Sequence, residues 1–363
     1  MSLPVKPWVQ KLEPYVPGKP VEELERELGI SNAVKLASNE NPLGPSPRAV
    51  EAIWNAAERV HRYPDGGCFR LRQALAARLE VAPEQLVFGT GSDEILELLA
   101  KCFLGPSDEV VYAWPSFAMY PIVVQGMGAT SVRIPLDGDL VHDLRAMRSA
   151  VTSRTRLVIV CNPNNPTGTS VGAAAFDRFA GSLPDGVVLV IDEAYVEYAR
   201  RPDFPDGRGW VRRRPATCVL RTFSKIYGLA GLRVGYAIAG HELAGYLERA
   251  RHPFNVSVVG EAAALAALDD HEHVERARQT NAEGFEFLTR ELGRLGLRTW
   301  PTDANFLLAA APAGTYERLL GEGVIVRPMG GFGLPDHIRI TIGTAEQNER
   351  LVKALERLQG GRT

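Results

Sequence analysis

Several features that define particular classes of protein are scarce or missing in this sequence. Its four cysteines form no CxxC pair and its histidines show no metal-ligand spacing, so we expect neither a disulfide framework nor a metal site. The formal net charge of -2 gives no support for nucleic-acid binding. No apolar run is long enough to span a bilayer, and the first residues lack the apolar core of a signal peptide. We therefore expect a cytoplasmic protein that binds neither nucleic acid nor membrane.

The sequence does contain enough apolar material for two domains. Of its 363 residues, 45% are hydrophobic and 23% are charged. A chain of this length usually folds into more than one domain. Between residues 86 and 238, strand-like apolar runs alternate with helical segments, which favours a mostly parallel sheet. Longer helices and short strands follow. The predicted parts are an N-terminal arm that packs with the small domain (1–36), a large domain (37–250) and a small α+β domain (251–363).

The most informative residue is Lys225, which comes just after a strand-like run at 217–222. Ligands of open α/β sheets bind where strands end, and a lysine shielded there by aromatic residues can lose its proton and attack a carbonyl. Ser224 and Arg233 add a hydroxyl and a permanent cation, a pair that suits a phosphate. Taken alone, however, this lysine would more simply be a solvated residue in a surface turn.

Three other segments also follow strand-like runs. They are NPNNPTG at 162–168, DEAY at 192–195 and GTGSD at 89–93. Glycines in the last segment allow backbone amides to approach a phosphate, and the start of the following helix adds partial positive charge. The absence of a lysine after them excludes a nucleotide P-loop, and an ordinary helix cap by Ser92 or Asp93 is the alternative.

The order of these motifs, with SK at 224–225 and an arginine eight positions later, resembles the fold-type I aminotransferases that use pyridoxal phosphate. The resemblance extends from Tyr15 to the closing RITIGT segment and is greatest to the histidinol-phosphate aminotransferases, whose NENP-G-P loop matches residues 39–45. It implies an α/β protein with a large domain, whose mostly parallel sheet is flanked by helices, and a smaller α+β domain.

The resemblance also implies catalytic roles for three residues. Lys225 would bind the cofactor covalently through its amine and then transfer a proton as general base and acid. Asp192 would keep the pyridine nitrogen protonated, so that the ring can accept electrons. Tyr195, together with Asn165, would donate to the oxygen on the ring.

Binding roles are implied for a larger set of residues. The implied cofactor-binding residues are Tyr63 of the partner subunit, Ser92, Asp93, Phe117, Asn165, Asp192, Tyr195, Thr222, Ser224, Lys225 and Arg233. The implied substrate-binding residues are Tyr15, Asn39, Asn165, Arg327 and Arg339. Phe117 stands where the family usually has a tyrosine, so it can stack on the ring but lacks the hydroxyl. The contribution of Tyr63 implies an obligate homodimer with shared active sites.

The implied reaction is transamination of histidinol phosphate with 2-oxoglutarate in histidine biosynthesis. Arg339 supports an acidic substrate, because a cation inside an apolar strand is costly unless it meets an anion. Aromatic amino acid aminotransferases and threonine-phosphate decarboxylases share the same motifs and stay open as alternatives. A regulator that only binds the cofactor is less favoured, because no DNA-binding segment is evident.

Overall fold

The computed structural model describes residues 3–360, so the first two residues of the predicted arm and the last three of the predicted small domain lie outside it. The described chain forms thirteen α-helices and twelve β-strands. The helices are α1 (Val21–Leu28), α2 (Pro47–Ala57), α3 (Phe69–Leu79), α4 (Gly91–Phe103), α5 (Met119–Gly126), α6 (Leu144–Ser149), α7 (Ala173–Ser182), α8 (Gly207–Arg213), α9 (His241–Ala250), α10 (Val258–Leu268), α11 (His271–Arg294), α12 (Thr315–Gly321) and α13 (Ala345–Gly360). The strands are β1 (Val34–Lys35), β2 (Leu86–Thr90), β3 (Glu109–Trp114), β4 (Thr130–Pro135), β5 (Thr155–Cys161), β6 (Val188–Asp192), β7 (Thr217–Thr222), β8 (Val234–Ala239), β9 (Phe306–Ala310), β10 (Val324–Ile325), β11 (Arg327–Pro328) and β12 (His337–Thr341).

A seven-stranded sheet in the order β2-β8-β7-β6-β5-β3-β4 forms the centre of the large domain. Only β8 is antiparallel to its neighbours; the other six strands run in one direction. The central strands are almost wholly apolar because both faces of the sheet are covered. The carboxyl ends of six strands and the amino end of β8 therefore meet at one edge of the sheet.

Helices pack on both faces of this sheet. One face carries a core to which α3, α7 and α10 contribute Leu71, Phe176 and Ala263. The opposite face is covered by α4, α5 and α9, whose buried residues include Leu99 and Leu247. These two cores fix the sheet, and thereby the positions at which its strands end.

The small domain has a core of its own. Its antiparallel sheet has the order β11-β12-β9 and is covered by α11 and α13, which contribute Leu288 and Leu351. Part of the N-terminal arm joins it, because β1 pairs with β10 and Leu24 of α1 packs on Ile325. Nearer its start the arm contacts the large domain, where Trp8 Nε1 donates to the Gly126 carbonyl at 3.1 Å.

No helix within residues 3–360 has the length and apolar character needed to cross a bilayer.

Candidate active site

A cavity of about 280 Å³ opens where the strand ends of the large sheet face the small domain. Residues of the large domain, the small domain and the N-terminal arm line it together. Every site residue predicted from the sequence lines this cavity, with the exception of Tyr63. The parallel topology explains the convergence, because segments far apart in sequence leave the sheet at the same edge.

Lys225 lies in the turn after β7 and is half-buried. Its Nζ is 5.6 Å from the centre of the Tyr195 ring. Burial, with the nearby Arg339 cation adding to it, lowers the pKa of Lys225 to about 8. A substantial fraction of this amine is therefore neutral near physiological pH and able to attack a carbonyl.

Asp192 is the last residue of β6, and its carboxylate is buried in the floor of the cavity. Burial raises the pKa of Asp192 to about 6, while hydrogen bonds from Tyr120 and from the Ala194 amide oppose that rise. Tyr120 Oη donates to Asp192 Oδ2 at 2.7 Å, and the Ala194 amide donates to Oδ1 at 3.2 Å. These two donors hold the carboxylate in one orientation.

The start of α4 forms a cationic corner of the cavity with Arg233. Gly91 has a φ of +76°, and a Cβ there would lie 2.6 Å from Arg233 Nη2. Arg233 Nη2 donates to Asp93 Oδ2 at 3.3 Å, and its Nη1 donates to Ser224 Oγ at 3.5 Å. The Ser224 amide in turn donates to Thr222 Oγ1 at 3.0 Å. A guanidinium, two hydroxyls and a helix amino terminus thus converge, which is the donor set that a phosphate requires.

Tyr195 and Asn39 connect the two domains across the cavity. Asn39 Nδ2 donates to Tyr195 Oη at 2.9 Å, and the Asn39 amide donates to Thr341 Oγ1 of β12 at 2.9 Å. Burial raises the pKa of Tyr195, which keeps its phenol protonated at neutral pH. Its hydroxyl therefore remains available to donate into the cavity.

Two arginines of the small domain, Arg327 and Arg339, also line the cavity and form its arginine wall. Arg339 and Arg327 are register partners on β12 and β11. Arg339 is buried, and its Nη1 and Nη2 donate to Asn165 Oδ1 and to the Ala37 carbonyl, both at 2.6 Å. Its Nε has no partner in the described part of the chain. Burial lowers the pKa of Arg339 to about 10, so the guanidinium still carries its charge at neutral pH.

Arg327 is more accessible than Arg339. Its Nη2 donates to the Val16 carbonyl at 2.7 Å, and its guanidinium lies 5.6 Å from the centre of the Tyr15 ring. Within residues 3–360, neither arginine forms a salt bridge with a carboxylate. Two neighbouring cations without an acidic partner make this wall suited to an anionic ligand.

Phe117 and Tyr63, two aromatic residues predicted to contact the cofactor, lie in different places. Phe117 lines the cavity and makes an edge contact with Tyr120, with ring centroids 5.7 Å apart. Tyr63 lies outside the cavity with 84% of its surface exposed, and it stacks on Phe254 at 4.9 Å. Tyr63 therefore takes no part in the site of its own chain.

Sequence reasoning missed two side chains that hold the site in place. Tyr120 follows Phe117 by three residues at the start of α5, but its partner Asp192 is 72 positions away. Arg221 donates through Nε and Nη2 to Glu193 Oε2 at 2.9 and 2.7 Å, which ties the DEAY turn to β7. The only available signal was the placement of both residues next to recognised motifs.

Among the residues that the structure describes, no group of three or more histidine, cysteine or acidic side chains is placed to hold a metal ion.

The fold and this cavity define a two-domain α/β protein with a lysine of lowered pKa where the strands of its large sheet end. The chain belongs to the family of class I and II aminotransferases, whose model matches residues 31–355. The chain is thus an aminotransferase, and the family and the fold-type I architecture predicted from the sequence are confirmed.

Among curated relatives, the histidinol-phosphate aminotransferase of Moorella thermoacetica is 49% identical over 354 residues, covering 96% of this chain and 92% of the relative. Histidinol-phosphate aminotransferase 1 of Nitrosococcus oceani is 48% identical, covering 96% and 95%. Among solved structures, the histidinol-phosphate aminotransferase of Sinorhizobium meliloti in complex with pyridoxal-5'-phosphate has a TM-score of 0.91 at 30% identity, covering 100% of this chain and 99% of that one. Thermus thermophilus aspartate aminotransferase with maleate has a TM-score of 0.84 at 26% identity, covering 98% and 99%.

Proposed function

We propose that this enzyme transfers an amino group from histidinol phosphate to 2-oxoglutarate with pyridoxal phosphate as cofactor. The products are imidazole-acetol phosphate and glutamate, which makes this a reaction of histidine biosynthesis. The observation that carries the proposal is the pair of arginines without a carboxylate partner within residues 3–360, Arg327 and Arg339, which line the cavity together with Lys225. The names of the relatives, which match over more than nine-tenths of both chains, support the same substrate.

The cavity fits pyridoxal phosphate in chemistry and in arrangement. The corner formed by Gly91, Ser224 and Arg233 offers the donors that the phosphate needs, and the missing Cβ of Gly91 leaves room for Arg233 beside the helix start. Asp192 would face the ring nitrogen, and Phe117 would supply an apolar surface for the ring. When bound, the cofactor supplies a carbonyl for amines and a ring that accepts the electrons released at the substrate Cα.

Lys225 has two tasks in this proposal. Its neutral amine would hold the cofactor covalently until a substrate amine takes its place. The freed Nζ would then act as general base, taking the proton from the substrate carbon that bears the amine, and afterwards as general acid, giving a proton back. A pKa near 8 suits both tasks, because the amine can take up and give back a proton close to neutral pH.

Asp192 and Tyr195 set the electronic state of the ring. The carboxylate of Asp192, which accepts a hydrogen bond from Tyr120, would keep a proton on the ring nitrogen. Tyr195, positioned by Asn39, would donate to the ring oxygen together with the amide of Asn165, whose Oδ1 already accepts from Arg339. Each of these side chains thus has a partner that fixes its direction.

The charge of the arginine pair favours a phosphorylated substrate. A phosphate monoester carries close to two negative charges at neutral pH, whereas an amino acid offers one carboxylate that a single arginine can neutralise. An aromatic amino acid aminotransferase remains the second candidate, because Arg339 alone could bind a carboxylate. We expect Tyr15, beside Arg327, to add a neutral donor to the phosphate.

A substrate panel tests the proposal. The purified holoenzyme is supplied with 2-oxoglutarate and, in turn, with histidinol phosphate, phenylalanine and threonine phosphate, and glutamate and carbon dioxide are measured. We expect glutamate from histidinol phosphate with the highest kcat/KM. A preference for phenylalanine would favour the aromatic enzyme, and release of carbon dioxide from threonine phosphate would favour a lyase.

We also propose that the active form is a homodimer in which Tyr63 reaches the phosphate of the partner's cofactor. Tyr63 is rigidly placed before Pro64 and faces away from its own cavity. Large apolar side chains nearby in sequence are likewise exposed, among them Trp54 and Phe69 at 73% and 62%. Exposed aromatic residues of this size are typical of a surface that another chain covers.

A further inference from the structure

The loop at 39–45 contacts residues 223–229, the lysine turn that carries Lys225. Asn41 of this loop is buried, and its Nδ2 donates to the carbonyl of Ile226, the residue after the lysine, at 2.7 Å. Within residues 3–360, no other group donates a hydrogen bond to this carbonyl. Asn41 therefore connects the loop to the backbone next to the lysine.

The loop and the lysine turn also meet at two glycines. Gly228 of the turn has a φ of +68°, and a Cβ at this position would lie 2.2 Å from the carbonyl oxygen of Gly44 in the loop. The two backbones thus touch without room for a side chain between them. The same Gly44 carbonyl accepts from Nε2 of the buried His273 in α11 at 3.1 Å. This end of the loop is therefore held between the lysine turn and α11.

The support for Asn41 comes from the small domain and from its own loop. The Asn39 amide donates to Thr341 Oγ1 at 2.9 Å, and Asn305 Nδ2 donates to the Asn39 carbonyl at 3.0 Å. Asn41 Oδ1 accepts from the Leu43 amide at 3.0 Å, which fixes the orientation of its side-chain amide. A side chain that positions another group needs such partners of its own.

The hydrogen bonds inside the lysine turn set its shape and not its place. The Gly228 amide donates to the Lys225 carbonyl at 3.0 Å, and the Leu229 amide donates to the Phe223 carbonyl at 3.1 Å. Both bonds begin and end within the turn. The side chain of Ile226 is fully buried in the core of the large domain, so its packing is the competing means of fixing the turn.

We propose that Asn41 is a positioning residue for the Lys225 amine and acts through the Ile226 carbonyl, an inference that rests on the function proposed for Lys225. With Asn41 in place, the turn keeps Lys225 Nζ inside the cavity, 5.6 Å from the centre of the Tyr195 ring. Without Asn41, the buried Ile226 carbonyl loses its partner, which is costly, and the turn moves to bring this carbonyl to water. The amine then becomes better solvated. Because burial is the main cause of the low pKa of Lys225, that pKa rises.

The test is the pH dependence with which the Lys225 amine reacts in the full-length, cofactor-free protein. A trace of acetic anhydride labels neutral amines, and peptide mass spectrometry measures the label on Lys225 with the other lysines as internal reference. In the wild type, the midpoint of this titration should lie near 8. In Asn41→Ala it should rise by about one pH unit or more, which lowers the neutral fraction of the amine about tenfold at neutral pH.

Asn41→Ser separates the two contacts of Asn41. A serine hydroxyl can accept from the Leu43 amide as the asparagine does, but the shorter side chain does not reach the Ile226 carbonyl. The midpoint should therefore rise in this variant as in Asn41→Ala. A midpoint that stays near 8 in Asn41→Ser would show that the buried Ile226 side chain fixes the turn without Asn41, and it would overturn the proposal.

Ser46→Ala is the matched control. Ser46 is buried just after the loop, its Oγ caps α2 by accepting from the Ala49 amide at 3.1 Å, and within residues 3–360 it has no hydrogen bond to the lysine turn. Its loss should lower the melting temperature and leave the Lys225 midpoint in place. An equal rise in Ser46→Ala would show a general loosening of the loop and would also overturn the proposal.

The label reports the amine itself, so its titration gives the same answer whether or not Lys225 binds the cofactor. Borohydride reduction of the holoenzyme decides that second question separately.

Discussion

At the scale of single residues, the two arginines of the small domain differ in their surroundings. Arg339 is buried and holds Asn165 and the Ala37 carbonyl, whereas Arg327 contacts only the Val16 carbonyl and the ring of Tyr15. Loss of Arg339 would leave Asn165 Oδ1 and the Ala37 carbonyl without this donor, whichever substrate is bound. Loss of Arg327 would matter chiefly for a ligand with a second negative charge.

We therefore expect Arg327→Ala to lower kcat/KM for histidinol phosphate by about thirtyfold or more, which corresponds to about 2 kcal/mol, and kcat/KM for phenylalanine much less. Arg339→Ala should lower kcat/KM for both substrates. Steady-state kinetics with the two substrates in both variants gives the comparison. Equal losses in Arg327→Ala would identify the enzyme as an aromatic transaminase.

Tyr120 is the residue through which the behaviour of Asp192 can be tested. Its hydrogen bond favours the ionised carboxylate and so lowers a pKa that burial raises. Tyr120→Phe should raise the pKa of Asp192 above about 6, so activity should be lost at a higher pH as the solution is acidified.

The measurement is kcat/KM as a function of pH. In Tyr120→Phe the acid limb of this profile should move to higher pH. Tyr112→Phe is the control, because Tyr112 is buried in the same core without a bond to Asp192. An acid limb that stays in place in Tyr120→Phe would show that Tyr120 does not act through Asp192.

At the scale of elements, the strand ends were predictable and several helix bounds were not. Apolar runs bounded by polar motifs marked β5, β6 and β7, and parallel pairing then brought their ends together. The sequence pattern favours a helix from about Leu140 to Ala150, whereas the structure has a helix only at Leu144–Ser149, because Leu140 has a φ of +59° and Asp143 caps the helix start. Side chains that meet across long separations, such as Asn39 and Thr341 at 302 positions, leave no local signal.

The start of α4 gives a test at this scale. Gly91→Ala would place a methyl group 2.6 Å from Arg233 Nη2 and would strain a backbone with a φ of +76°. Displacing Arg233 would remove the charge-assisted contact that we propose it makes to the cofactor phosphate, so affinity for pyridoxal phosphate should fall by about tenfold or more.

Absorbance titration of the cofactor-free protein measures this affinity. Gly245→Ala is the control, since it lies inside α9 with nothing within 4 Å of the added Cβ. It should leave cofactor binding unchanged and stabilise the fold slightly, by about 0.5 kcal/mol. Unchanged affinity in Gly91→Ala would exclude the α4 corner as the phosphate site.

At the scale of the whole molecule, composition indicated two domains but not where their cores separate. The predicted boundary follows residue 250, yet α10 and the start of α11 contribute Ala263, Ala267 and Val274 to the core of the large domain. The alanine-rich helix packs closely on α2, a tertiary contact that its sequence does not specify. The small core draws instead on Leu288 and later residues, together with Leu36 of the N-terminal arm.

The homodimer is tested by combining two inactive variants in one dimer. Lys225→Ala and Tyr63→Ala should each be nearly inactive, but a hybrid dimer would contain one site with both residues intact. Random pairing of equal amounts should therefore restore about a quarter of wild-type activity. Co-expression with two affinity tags isolates the hybrids. Sedimentation that shows a stable, fully active monomer would contradict the proposal.

The central claim is that Lys225 forms the covalent bond to the cofactor, and borohydride reduction followed by peptide mass spectrometry tests it most directly. In the wild type, the mass of reduced pyridoxal phosphate should appear on the peptide that contains Lys225. Lys35→Ala, which removes a lysine paired with Glu40 at the rim of the cavity, should behave like the wild type. Lys225→Ala should carry no reducible linkage and should lose activity. A Lys225→Ala protein that kept both the linkage and full turnover would contradict the account.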